Sequence, residues 1–223
     1  MQTIINKLIN FFKWPIALYM LIVLPAVFKS IDYFNFANRK FLLFGAGIVA
    51  YIFIRIASDS ATRTSLQTLI HEMTHAFFAL LSFHKVKKLS LNQDNSGEMM
   101  FEGNGNWLII IAPYFFPLLI FIYIIIATVW LMFLPNNFVF PVILGYLFVM
   151  HIDTVVSQIH EKQTDLPKVS YLFCATFLPG ANLITWGCIL AYNSIGINGI
   201  STYLRLINSI TAQLAANLWR GIF

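Results

Sequence analysis

"WLIIIAPYFFPLLIFIYIIIATVWLMFL", residues 107–134, runs for 28 positions without a charged side chain. About 20 apolar residues carry a helix across the hydrocarbon of a bilayer, so this stretch points away from a water-soluble fold. The rest of the chain agrees. Of its 223 residues 59% are hydrophobic and 10% are charged, against about 25% charged in an ordinary soluble domain. Bilayers admit helices or closed barrels, and the apolar runs lack the alternation of barrel strands.

The sequence therefore predicts an all-α polytopic membrane protein with about six transmembrane helices. The apolar segments run from Leu8 to Phe28, Phe41 to Ala57, Arg63 to Phe83, Trp107 to Leu134, Phe138 to Ile159 and Val169 to Tyr192. Pro113 and Pro117 sit within the fourth, which should be tilted, kinked or broken there. We read one membrane-embedded unit over 1–223, with a core at about 63–192 and two accessory spans within 1–60. Lys7 and Lys13 ahead of "PIALYMLIVLPAVF" give the start a signal-peptide look, but no small-x-small cleavage site follows, which favours a retained first span.

Two stretches break the membrane pattern. In "KVKKLSLNQDNSGEMMFEGNGN", residues 85–106, "VKKLSL" and "EMMFE" flank the turn-rich "NQDNSG", which predicts a small polar β-hairpin-like insertion. At 196–223, Ile200, Leu204, Ile207, Ile210, Leu214 and Leu218 recur at helical spacing, with Arg205, Asn208, Gln213 and Asn217 opposite. That predicts an amphipathic helix lying in the interface or packed on the bundle.

The 14 basic residues outnumber the 9 acidic ones, but they stand at the ends of apolar runs, where they anchor helices. No basic patch with interleaved aromatics occurs, so no nucleic-acid partner is expected. If six spans alternate, Lys29, Arg39, Lys40, Lys85, Lys87, Lys88, Lys162 and Lys168 share the cytoplasmic side. Cys174 and Cys188 fall in one apolar run and read as small buried side chains rather than a disulfide.

Chemistry concentrates in "LIHEMTHAFFALL", residues 69–81. Histidines four apart on a helix stack on one face, and His71-Glu72-x-x-His75 is the arrangement in which two imidazoles bind zinc and the glutamate takes a proton from the water that the metal activates. A buried unpaired glutamate in an apolar medium costs several kcal/mol, and a metal offsets that cost. Ala79 and Ser82 continue the face with small side chains that let another helix approach.

A catalytic zinc commonly takes three protein ligands. His84 lies nine residues beyond His75, and Leu81 stands where a metzincin would place its third histidine. "HIDTVVSQIHEKQTD" supplies two candidate aspartates. Asp153 is favoured, since counting helical rise brings it to a depth similar to that of His75. Asp165 is the alternative, and it could otherwise serve as a helix start ahead of "LPKVSYLF".

"HEMTHAFFALL", the following "SGE", "IIIAPYFFPLL" and "DTVVSQIHEKQTDL" resemble the site-2 protease family of intramembrane zinc metalloproteases, most closely its short single-domain branch. The resemblance covers about residues 66–190. It implies Zn²⁺ held by His71 and His75, with Glu72 as general base and acid and a distant aspartate completing the sphere. The N-x-x-P-x-x-L-D-G motif of the longer branch is absent, and an acidic pair similar to Asp153 and Asp165 stands at the corresponding place. The expected activity is cleavage of a peptide bond in or near a transmembrane segment of another membrane protein, in a prokaryotic inner membrane. A proteolytically silent metal-binding scaffold is the alternative, and a metal transporter a weaker third. The polar hairpin could receive an unwound substrate by strand addition, or be an ordinary connecting loop.

Overall fold

The structure, a computed structural model, describes residues 1–92, 96–134, 137–159 and 163–222. It is mostly helical, in the order α1 (Gln2–Phe11), α2 (Lys13–Lys29), α3 (Arg39–Ala57), α4 (Ser60–Leu81), β1 (Val86–Leu91), β2 (Gly97–Phe101), α5 (Trp107–Ile111), α6 (Leu118–Leu131), α7 (Val139–Gln158), α8 (Asp165–Val169), α9 (Tyr171–Ile195) and α10 (Ile197–Ile222).

The count of six spans is not reproduced. Among the described residues four helices are long and apolar enough to cross a membrane: Lys13–Tyr33, Arg39–Ala57, Val139–Gln158 and Tyr171–Ile195. A fifth is obtained if α5 and α6 form one broken span, bent by 78°. The break falls at the expected prolines. Pro113 sits in a single 3₁₀ turn after α5, and Pro117 precedes the first residue of α6. A carbonyl freed by the break finds a donor on a neighbouring helix, as a bilayer requires: Asn182 Nδ2 of α9 donates to the Tyr114 carbonyl at 2.9 Å. The predicted third segment is a helix, α4, but Ser60, Thr62, Arg63, Thr64, Ser65, Gln67 and Thr68 make its first half polar.

The first predicted segment is also divided. The chain turns at Phe12, separating α1 from α2, because Gln2, Asn6 and Asn10 give α1 a polar face of its own. α3 and α7 pack backbone to backbone. A Cβ at Gly145 would lie 3.1 Å from the Phe44 Cα and overlap its carbonyl, and one at Gly47 would overlap the Val142 carbonyl, so both positions need glycine for the helices to touch.

The hairpin forms at the predicted residues. β1 and β2 pair antiparallel, Leu89 opposite Met99 and Leu91 opposite Gly97, with an irregularity between Val86 and Lys88. Its tip, 93–95, lies outside the described residues. The amphipathic C-terminal helix packs on the bundle: Tyr203 and Ile207 bury against Val23, Val27 and Phe34, with Ile210 and Leu214 beside them. Leu218 stays exposed. Cys174 and Cys188 are unbridged.

Candidate metal centre

α4 starts on Asp59, whose carboxylate accepts from the Thr62 amide at 3.0 Å. Its buried face carries Gln67, Thr68, His71, Thr74, His75, Phe78 and Ala79. The four-residue spacing brings the Nε2 atoms of His71 and His75 to 3.1 Å, with the rings edge to face. His75 Nδ1 lies 2.7 Å from the Ile109 carbonyl of α5. A carbonyl can only accept, so Nδ1 carries a proton, and Nε2 is the nitrogen turned towards His71 and Asp165. His71 rests edge-on against the Tyr114 ring at 5.2 Å.

The third group arrives from the loop between α7 and α9. Asp165 Oδ2 lies 3.1 Å from His75 Nε2 and 3.5 Å from His71 Nε2. Asp165 does open a helix, α8, but its carboxylate goes to the histidines and, through Oδ1, to Lys168 Nζ at 3.1 Å. Leu166 and Val169 hold α8 in place by burying against Trp107, Tyr114 and Phe173. Lys13 Nζ donates to the Val169 carbonyl at 2.8 Å. Burial alone would raise the Asp165 pKa, but the hydrogen bonds from His71 and His75, together with Lys168, hold it well below the usual carboxylate range.

Asp153, the favoured candidate, is placed elsewhere. Its Oδ2 accepts from Tyr51 Oη at 2.7 Å and Arg55 Nε at 3.0 Å, both on α3, and from Gln67 Nε2 at 2.9 Å on α4. Helical rise matched its depth to His75 but carried no information on which way the carboxylate turns. It ties α3 and α7 to α4 one turn before His71. His84 is also remote from the histidine pair; its Nδ1 donates to the Glu102 carbonyl at 2.7 Å.

Glu72 lines a cleft of about 310 Å³ together with His75, Gly97, Glu98, Met99, Gln163, Asp165 and Lys168. Ligand atoms of His71, Glu72 and His75 all lie within 4.8 Å of one another. β2 closes over the glutamate so tightly that a Cβ at Gly97 would collide with Glu72 Cγ and come within 2.7 Å of Thr68 Cγ2. Consecutive residues Gly97, Glu98 and Met99 line the cleft, which in a strand of period two presents an edge rather than one face.

Two imidazole nitrogens and a carboxylate oxygen at 3.1–3.5 Å fit a single small cation. Ligands about 2.0–2.1 Å from a tetrahedral zinc stand about 3.3 Å apart. The donor types suit zinc as well.

A family model described as Peptidase M50B-like matches residues 42–160. The chain belongs to that family. No curated protein and no solved structure matches the chain. The M50B match, within the site-2 protease family, takes in His71, Glu72, His75, the hairpin and Asp153. It stops short of Asp165, so the placement of that carboxylate rests on geometry alone. Together with the apolar helices, the M50B family makes this an integral membrane protein of a metallopeptidase lineage.

Sequence reasoning missed four groups around the M50B site. Tyr114 and the Ile109 carbonyl hold the histidine rings, Gln163 Nε2 lies 3.5 Å from His71 Nε2, and Lys168 pairs with Asp165. The proximity of Gln163 and Lys168 to Asp165 was the one signal available. Nothing in an apolar run marks which carbonyl a helix break will release.

Proposed function

We propose that this M50B-like protein is an intramembrane zinc endopeptidase, set in a prokaryotic inner membrane, that hydrolyses a peptide bond in or near a transmembrane segment of another protein. The observation that carries the reading is the convergence of His71, His75 and Asp165 beside Glu72, beneath an open strand edge. Zinc held by the first three would supply a Lewis acid that polarises the scissile carbonyl and acidifies a water.

The chain's own groups do the rest. Glu72 accepts the proton of the attacking water and hands it to the leaving amine. Its neighbour Gly97 keeps strand and carboxylate in contact without a side chain between them. The edge of β2 offers backbone donors and acceptors to a substrate segment that must unwind before its peptide bond can be attacked. Ile109 and Tyr114 hold the imidazoles so that the ligand atoms need not reorganise.

Glu72→Gln tests the reading, because it is nearly isosteric and removes only the proton acceptor. Loss of general acid–base work of this kind typically costs about 10²–10⁴-fold in rate. Co-expressed with single-span membrane proteins, wild type should release fragments, and Glu72→Gln should load zinc normally and retain an uncut substrate. Equal cutting by both forms would reject the mechanism. No cutting by either, across a panel of single-span proteins, would favour the metal-binding scaffold.

A further inference from the structure

α1 is turned the opposite way from an ordinary amphipathic helix on a soluble protein. Gln2, Asn6 and Asn10, four residues apart and so on one face, point into the molecule. Asn6 Nδ2 lies 3.1 Å from His84 Nε2, Asn6 Oδ1 accepts from Asn106 Nδ2 at 2.8 Å, and Asn10 Oδ1 accepts from the Trp107 amide at 3.3 Å. Gln2 Nε2 donates to the Glu102 carbonyl at 3.5 Å, the same carbonyl that accepts from His84 Nδ1. His84 and Asn106 are each only 2% exposed, so these amides satisfy groups that water does not reach. The opposite face of α1 is apolar and open: Ile4 is 72% exposed, Leu8 56% and Phe11 73%.

Polar contacts inside and bare isoleucine, leucine and phenylalanine outside suit one kind of surroundings. α1 continues after a single residue into α2, a helix apolar and long enough to span a membrane. The bilayer surface that α2 enters is thus within reach of α1 by covalent continuity. Trp14, half-exposed in the first turn of α2, stands where aromatic side chains mark the headgroup level. Lys7, the one charged residue of α1, is exposed and carries the sign that anionic headgroups attract.

The residues that α1 grips also have a place in the site. His84 precedes β1, while Asn106 and the carbonyls of Glu102 and Asn104, which accept from Gln2 and Asn6, follow β2. Both ends of the hairpin are therefore fastened to α1, and β2 lines the cleft over Glu72.

We infer that α1 lies in the interfacial layer of the bilayer, apolar face down, and that its inward amides fix the hairpin at a set height relative to the lipid surface. The ligand is a phospholipid surface, not a soluble peptide. The lipid contact stands by itself; the consequence for where a substrate is cut rests on the proposed proteolytic function.

The test needs no proteolysis. An environment-sensitive fluorophore is placed on the full chain, lacking its two native cysteines, at Leu8→Cys and at Lys87→Cys as a water-exposed control. The protein is reconstituted in phosphatidylcholine–phosphatidylglycerol vesicles carrying a nitroxide near either the head or the tail of the acyl chain. For a helix buried about 5–10 Å, the Leu8 probe should be quenched about twofold more by the shallow nitroxide, with the Lys87 probe barely affected. A Leu8 probe with aqueous emission and no quenching would overturn the inference, as would one crosslinking efficiently to a second copy or another protein. Asn6→Ala and Leu8→Asp should each raise deuterium uptake over 97–106 and leave α4 unchanged. Unaltered uptake in both would remove the link between α1 and the hairpin.

Discussion

Asp165 Oδ2 lies 3.1 Å from His75 Nε2, although 90 positions separate the two residues in the chain. The contact closes a triangle with His71. Asp153, with three donors on one oxygen, has no such approach. The two aspartates thus separate into a candidate ligand and a helix tie, and each division of labour can be measured.

Asp165→Asn should weaken zinc binding by more than about 100-fold, since even groups that merely support a ligand are worth about 10–100-fold. Asp153→Asn should leave the stoichiometry near that of wild type. Elemental analysis of detergent-purified protein and competition with a chelator give both numbers. Zinc lost from Asp153→Asn but kept by Asp165→Asn would reverse the assignment.

His71→Ala and His75→Ala should each abolish stoichiometric zinc without expelling the helices from the membrane. Extraction behaviour and circular dichroism report the second point. Full zinc in both variants would mean that the metal, if any, sits elsewhere.

Gly97→Val should separate binding from chemistry. The new side chain must push into Glu72 and Thr68, so zinc should stay while cleavage falls by an amount close to that of Glu72→Gln. Normal cleavage by Gly97→Val would show that β2 yields easily and that its contact with Glu72 is incidental.

Asp153→Asn should cost stability instead. It keeps an oxygen for Tyr51 and Gln67 but leaves Arg55 without its counter-charge. Arg55 is nearly half-exposed, which limits the expected loss to about 1–2 kcal/mol. A fall in thermal midpoint with zinc retained is the expected pattern, and a double variant with Arg55→Leu should recover part of it.

Much of this protein was legible in one dimension. Long uncharged apolar runs required a helical membrane fold, because a bilayer leaves backbone groups no partner but their own helix. Pro113 and Pro117 marked the break between α5 and α6, since proline removes a donor and crowds the preceding turn. "VKKLSL" and "EMMF" gave both strands. The pairing of His71 with His75 followed from a periodicity that is local and therefore written in the sequence. What is not local was undetermined. A carboxylate's depth can be counted along a helix, but its direction depends on which neighbours lie beside it, and Arg55 on α3 captured Asp153 while α8 carried Asp165 to the histidines. Likewise the stripe of Gln2, Asn6 and Asn10 went unread ahead of the first apolar segment, and only the fold showed that it faces inward, because its partners, His84 and Asn106, lie far along the chain and meet it in three dimensions.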